Sequence, residues 1–358
     1  MLKEISLVDK DIRNFITNKN VEHVDGIDLD RYVQPASMDI PVGNKAYLVK
    51  FKFLPFMKEI DHVIKKVALE ELDLRKNPIL YKGQTYLIPC LKFKDLPKNY
   101  FCRVSPKSSI GRIDLMVRAI NDNSFYYDYV ENPKGTIWLE VTPQSFNIRL
   151  GTGIALSQLK VLEKGIGTDM KLKEENLIFN KDGERLEVET YSDDEIILRM
   201  SVPEDNIIGY VARTTNSIID LSKIKEYNRN EFFKEVKMIE SGHSKVLLEK
   251  DKFYILKTRD FVQIPPHLSA EMIPLNNLLG EFRVHYAGFF DPGFGYKING
   301  NQGVLEIRPH ENLVIYDEQP ICSMKFYRNR DIPEKIYGLA GNNYSKQKGI
   351  KLAKYFQD

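Results

Sequence analysis

Apolar Val8, Ile12, Phe15 and Ile16 recur at helical spacing, which predicts a short helix over residues 8–19 that Asp9 can cap. Beyond it the apolar positions fall into short runs that read as strands, at 45–53, 85–93, 136–142, 147–150 and 154–161. Gly, Pro, Asn and Asp interrupt these runs closely, which favours a barrel or sandwich over a parallel sheet. A second helix is expected over residues 62–72. Residues 165–194 are charged and rich in turn formers, and Asn180-Lys181-Asp182-Gly183 reads as a hairpin turn. The domain boundary is placed at the start of that stretch, giving domains 1–165 and 166–358.

The strand pattern repeats. Leu139-Glu140-Val141-Thr142-Pro143 returns as Leu305-Glu306-Ile307-Arg308-Pro309. At the same offset Ile148 matches Val314 and Ser157 matches Ser323. Upstream, after a slip of two residues, Tyr86 matches Tyr254, Leu96-Pro97 matches Ile264-Pro265, and Pro106 matches Pro274. Colinear anchors of this kind indicate two diverged copies of one β-rich domain.

The copies keep different chemistry. The first reads Pro106-Lys107-Ser108-Ser109-Ile110-Gly111-Arg112. Lys107 supplies a point charge, Ser108 and Ser109 donate hydroxyl hydrogens, and Arg112 can fork onto phosphate oxygens. A solvated turn is an equal alternative for that stretch. The second copy has Pro274-Leu275-Asn276-Asn277-Leu278-Leu279-Gly280 there, with every charge gone. It keeps instead Arg283-Val284-His285-Tyr286-Ala287-Gly288-Phe289-Phe290-Asp291-Pro292-Gly293-Phe294-Gly295, followed by Gly303-Val304-Leu305-Glu306. Asp-Pro-Gly favours a tight turn between two strands. Strand alternation then sends Leu305 to one side and Glu306 to the other, where a carboxylate can act as general acid or base. The first copy has lost Pro-Gly in Phe125-Tyr126-Tyr127-Asp128-Tyr129, although Glu140 survives. Complementary loss is what a site shared between two such domains would leave.

Composition narrows the partners. The 358 residues are 42% hydrophobic, ample for two packed domains. The 52 basic and 50 acidic residues leave a net charge of +2, too small for a broad field that grips nucleic acid or an anionic membrane. Three cysteines, Cys90, Cys102 and Cys322, make no disulfide framework and fit a reducing cytoplasm. The first residues lack a signal-peptide core, and no apolar run is long enough to span a bilayer. A zinc deaminase needs His-x-Glu and Cys-x-x-Cys, and neither occurs among the six His and three Cys.

These motifs resemble the dCTP deaminase family in its long, two-domain form, whose fold is that of the trimeric dUTPases. Leu7-Val8-Asp9-Lys10-Asp11-Ile12 and Gln34-Pro35-Ala36-Ser37-Met38-Asp39-Ile40 are similar to its opening helix and first strand motif. Residues 106–112 resemble its phosphate motif, and residues 280–295 its nucleobase hairpin. Tyr344-Ser345-Lys346-Gln347-Lys348-Gly349 resembles the tail that closes over the triphosphate, with Asn343 where the family commonly has Lys. The resemblance implies a mainly β chain of two tandem dUTPase-like β-barrel domains (β-clip or jelly-roll-like) with a few short helices. It implies hydrolytic deamination of dCTP to dUTP and ammonia without zinc, with magnesium carried on the triphosphate, and a homo-oligomer, by family a trimer. Glu306 matches the catalytic Glu, with Glu140 in reserve because the insertion 296–302 stretches the distance from Asp291. Ala287 would read the base edge, beside Arg283 and His285. Ser108, Ser109 and Arg112 would bind phosphates with Lys107, Tyr344, Lys346 and Gln347.

Two rival readings remain. One is dUTP pyrophosphatase activity, alone or following deamination, which needs an Asp to aim water at phosphorus: Asp291, or Asp122 or Asp128 in the first copy. The other is a non-catalytic nucleotide-binding protein built on a decayed duplication.

Overall fold

The computed structural model describes residues 3–56, 58–94, 96–122, 124–165, 170–203, 207–237, 244–274, 282–284, 288–338 and 349–357, with backbone alone for 3 and 282–284. Helix formation is confined to short pieces. The first, Asp9–Thr17, starts one residue later than expected, with Val8 rather than Asp9 at the cap. The Val8 amide donates to the Asp11 carboxylate at 3.2 Å, which fixes that start. The second helix is Ile60–Val67, and it ends where the Ala68–Asp73 strand begins. The expectation of helix through residue 72 is corrected there. Residues 68–73 pair with Lys45–Val49 and so satisfy their backbone groups in a ladder. No helix among the described residues is long and apolar enough to cross a membrane.

The chain divides into two compact units. Unit 1 comprises residues 1–167, 216–226 and 329–334; unit 2 comprises 168–215, 227–328 and 335–358. The two returns to unit 1 have no signature in the sequence pattern. One contributes the strand Ile218–Asp220, which pairs in parallel with Asn147–Arg149. The other is held by charge. Arg330 forms an ion pair with Glu163 and donates to the Tyr100 hydroxyl at 3.0 Å, and Asp331 pairs with Lys10.

Each unit contains an antiparallel sheet with the same strand order. In unit 1 it runs Leu115–Asn121, Gly135–Pro143, Thr85–Phe93, Lys45–Val49, Ala68–Asp73. In unit 2 it runs Phe282–Val284, Asn301–Pro309, Tyr254–Val262, Gly209–Ala212, Phe233–Val236. The central pair matches residue for residue: Tyr86 lies opposite Val141 and Leu87 opposite Glu140, as Tyr254 lies opposite Ile307 and Ile255 opposite Glu306. The two tyrosines even share a partner position, accepting from the Tyr81 and Glu249 amides at 3.0 and 2.9 Å. Downstream of the carboxylates the sequence alignment is corrected by one residue. Leu80 pairs with Ile148 where Leu248 pairs with Leu313, so Leu313 rather than Val314 takes the place of Ile148. By the same pairing Cys322, opposite Pro274, replaces Ser323 as the counterpart of Ser157, opposite Pro106. The turn after the second carboxylate strand is one residue shorter, and the ladders reveal it.

Unit 2 packs around Leu198, Leu256, Ile264, Met272, Leu305 and Ile307. Unit 1 places a separate apolar cluster on the Glu140 face of its sheet, where Ile60, Ile64 and Val67 of the second helix pack with Leu87, Ile120 and Trp138. In unit 2 the Asp-Pro-Gly turn is followed by further turns up to the strand Asn301–Pro309. Gly295 there has φ +64°, and a Cβ would lie 2.3 Å from the Val262 carbonyl and 2.8 Å from the Asn301 amide. Gly295→Ala is therefore expected to destabilise unit 2 by about 2–4 kcal/mol. Thermal denaturation reads this as a fall of several degrees in Tm, and an unchanged Tm would contradict it.

Candidate active site

Strand alternation positions the two carboxylates. Along Gly135–Pro143, Leu139 and Val141 are fully buried on the core side, so Glu140 turns to the other face. Along Asn301–Pro309, Leu305 and Ile307 enter the unit 2 core and Glu306 turns away. Both carboxylates are buried, at 2% and 3% exposure. The insertion 296–302 does not displace Glu306. Its excess length is taken up by the turns and by a break in the ladder between Lys257 and Phe261, and Glu306 still meets Ile255.

Each carboxylate belongs to a row that crosses its sheet. In unit 1 the row is Glu71, Tyr47, Leu87, Glu140, Arg118; in unit 2 it is Glu235, Tyr210, Ile255, Glu306. Glu140 is engaged within unit 1. The Tyr127 hydroxyl donates to it at 3.3 Å, and the Lys52 ammonium lies 3.6 Å away. Arg118 opposes it on the neighbouring strand, stacks 4.5 Å from the centre of the Tyr127 ring and is ion-paired with Asp128. Burial raises the Glu140 pKa against the lowering pull of Lys52. Burial, followed by the Glu140 charge, pushes the Tyr127 hydroxyl up to about 12. Sequence reading missed Tyr127, Lys52 and Arg118 as partners. The worn hairpin carried the only signal, since Tyr127 lies within it.

The phosphate motif forms one helical turn, Ser108–Gly111, capped by Lys107. It brings Lys107, Ser108, Ser109 and Arg112 together; Ser109 and Arg112 are buried and Ser108 is partly exposed. The Arg112 amide closes the turn on the Ser108 carbonyl at 3.0 Å. Lys107 is ion-paired with Asp39, from the motif near the start of the chain. In unit 2, Asp291 is buried at the head of the turn, its carbonyl accepting from Phe294 at 3.1 Å. Arg283 occupies the Phe282–Val284 strand opposite Arg308. Its side chain lies outside the described residues, as do His285, Ala287, Tyr344, Lys346 and Gln347.

The other Asp candidates have structural work. Asp122 accepts the Ile60 amide at 2.9 Å and the Thr136 amide at 3.0 Å, one on each carboxylate oxygen. Asp128 accepts the Ala119 amide at 2.6 Å in addition to its Arg118 pair. All three cysteines are buried, and burial pushes each thiol above its ordinary pKa, which makes them poor nucleophiles. Among the described residues no group of three His, Cys, Asp or Glu side chains could hold a metal ion.

The raised Glu140 pKa has a sign for stability. A carboxyl that binds its proton more tightly when folded contributes most below its unfolded value, here 4.5, and that contribution is lost as pH rises through the folded value. The stability of the wild type relative to Glu140→Gln should therefore fall as pH rises from the ordinary carboxylate range towards neutrality. Urea titrations at a series of pH values measure it, and a flat or rising difference would contradict the burial argument.

Two family models cover the chain. The 2'-deoxycytidine 5'-triphosphate deaminase N-terminal domain matches residues 4–165, and the C-terminal domain of the same enzyme matches residues 168–356. No curated protein sequence matches. A crystal structure of 2'-deoxycytidine 5'-triphosphate deaminase from Agrobacterium tumefaciens is similar at a TM-score of 0.79 and 31% identity, over 91% of this chain and 99% of that one. Duplicated sheets, a carboxylate in the same row of each, and these matches together show that the chain belongs to the dCTP deaminase family.

Proposed function

We propose that this chain, an enzyme of the dCTP deaminase family, converts dCTP and water to dUTP and ammonia without zinc, with Glu306 as the catalytic base. The observation that carries the assignment is the position of Glu306. It is a buried strand carboxylate in the unit that keeps the Asp291-Pro292-Gly293 turn. Glu140, its counterpart, is bound to Tyr127 and Lys52 beneath the apolar cluster of unit 1.

In this reading Glu306 takes a proton from the attacking water as oxygen adds to C4 of cytosine. It then returns protons towards N3 and the leaving amine, so that ammonia departs and the ring carbonyl forms. The Ala287 backbone reads the base edge, with Arg283 and His285 beside it and Asp291 holding the turn. Ser108, Ser109 and Arg112 bind phosphate oxygens. Lys107 is already paired with Asp39, so it assists rather than leads. Tyr344, Lys346 and Gln347 complete the triphosphate site. Magnesium enters with the substrate, held by phosphate oxygens. Family resemblance makes a homotrimer the expected assembly.

The test is incubation of purified protein with dCTP and with dUTP, each with magnesium, following ammonia and pyrophosphate. Ammonia from dCTP alone supports deamination. Pyrophosphate from dUTP would move the assignment to a pyrophosphatase using Asp291, and tight binding without turnover to a regulatory protein. Glu306→Gln should abolish ammonia release while leaving dCTP affinity nearly intact; full activity in that variant sinks the assignment of the base. Arg112→Ala should weaken dCTP binding by roughly 1.5–3 kcal/mol, the worth of a charge-assisted hydrogen bond. Equilibrium binding of dCTP to the Glu306→Gln background measures it.

A further inference from the structure

The Glu306 face of the unit 2 sheet carries a second ionisable group that no motif singles out. Along Tyr254–Val262, Tyr254 and Leu256 enter the core, so Ile255 and Lys257 turn to the opposite face. Ile255 is the direct partner of Glu306, and Lys257 is the partner of Val304. Lys257 therefore shares the carboxylate's face one diagonal step away, roughly 7–8 Å between backbone positions.

Lys257 is partly buried, and burial lowers its pKa. Among the described residues it has neither a carboxylate nor a hydrogen-bond partner for its ammonium, and no nearby charge offsets the burial. Among the described residues, other withdrawn cations have partners: Lys107 has Asp39, Arg199 has Asp260 at 3.7 Å, Lys325 has Asp194 at 3.8 Å, and the fully buried Lys160 donates to the Ser6 hydroxyl and the Ala36 carbonyl. An ammonium held partly out of water without an anion costs free energy, which a bound anion would repay. In unit 1 the residue opposite Trp138, at the same distance from Glu140, is Pro89. The lysine thus occurs only in the unit that keeps the nucleobase hairpin.

We propose that Lys257 is a substrate-positioning residue of the Glu306 site and that its ammonium binds a phosphate oxygen of the nucleotide. Cytosine is neutral and offers it a carbonyl oxygen and a ring nitrogen, whereas a phosphate offers full charge and several acceptors. The proposal rests on reading Glu306 as the carboxylate of the pocket.

Steady-state ammonia release by the full-length protein tests it. Lys257→Met should raise the KM for dCTP about tenfold or more while kcat stays within about twofold, and Lys257→Arg should restore most of the loss. Inorganic triphosphate, used as a competitor, should lose potency in Lys257→Met by a similar factor. An unchanged KM, or a loss confined to kcat, overturns the proposal. Lys257→Gln serves as the second variant if the methionine protein does not fold. Wild-type protein that releases no ammonia would overturn the proposed function itself. An unchanged KM in Lys257→Met beside an inactive Glu306→Gln would overturn the role of Lys257 alone.

Discussion

A carboxylate can sit below the surface of a strand only if the residues on either side of it are locked into a core. That constraint governs both halves of this chain. Leu139 and Val141 hold Glu140, and Leu305 and Ile307 hold Glu306, by facing the buried opposite side of their strands. A slip of one residue in either ladder would drive the acid into the apolar interior and expose the leucine. Register, core and reactive group are therefore one choice, made once in each copy. The break between Lys257 and Phe261 shows how an insertion is tolerated: the ladder gives way beyond the carboxylate and keeps its pairing beside it.

From that common frame the copies diverge by what surrounds the acid. Unit 1 gathers Lys52, Arg118 and Tyr127 around Glu140 and packs Trp138 and the helix Ile60–Val67 on the same face. Positive charge and a hydroxyl there pull against the burial that raises the pKa of the acid. Unit 2 retains instead a turn whose glycines take positive backbone angles that other residues rarely adopt, with Gly293 at φ +99° and Gly295 at φ +64°. The first arrangement ties the acid to its own unit; the second leaves backbone that a ligand can approach closely.

Much of this was legible in the chain. The Thr85–Phe93 strand occupies its predicted span, the Asn180–Gly183 turn is closed by a 3.1 Å hydrogen bond, and the Glu140 and Glu306 motifs take equivalent sheet positions. What escaped depends on distance along the chain. Residues 68–72 have a helix-compatible composition, but the partner strand 45–49 decides their conformation. Tyr47 and Tyr210 stand in corresponding places, yet the loops before the next anchors differ in length, so no constant offset connects them. Lys52 reaches Glu140 from a segment 88 residues away in the chain, and Lys257 has the pattern of an ordinary strand lysine until its ladder partner is known. The side chains of residues 280–287 and 344–348 lie outside the described residues, so for them the sequence motifs carry the assignment.

The returns of residues 216–226 and 329–334 to unit 1 bear on how such a chain is made. A ribosome releases the duplicated halves in order, and an N-terminal domain commonly folds before its successor is finished. Here that order is broken. The strand Ile218–Asp220 reaches unit 1 only after the first segment of unit 2 has been synthesised, and the Arg330 ion pair only after most of unit 2 has. The first copy must wait, incomplete, for parts encoded in the second. Cutting the gene at the apparent boundary would separate the repeats on paper while leaving one of them without a strand. The duplication has thus ceased to be divisible, and the two copies persist as one folding problem.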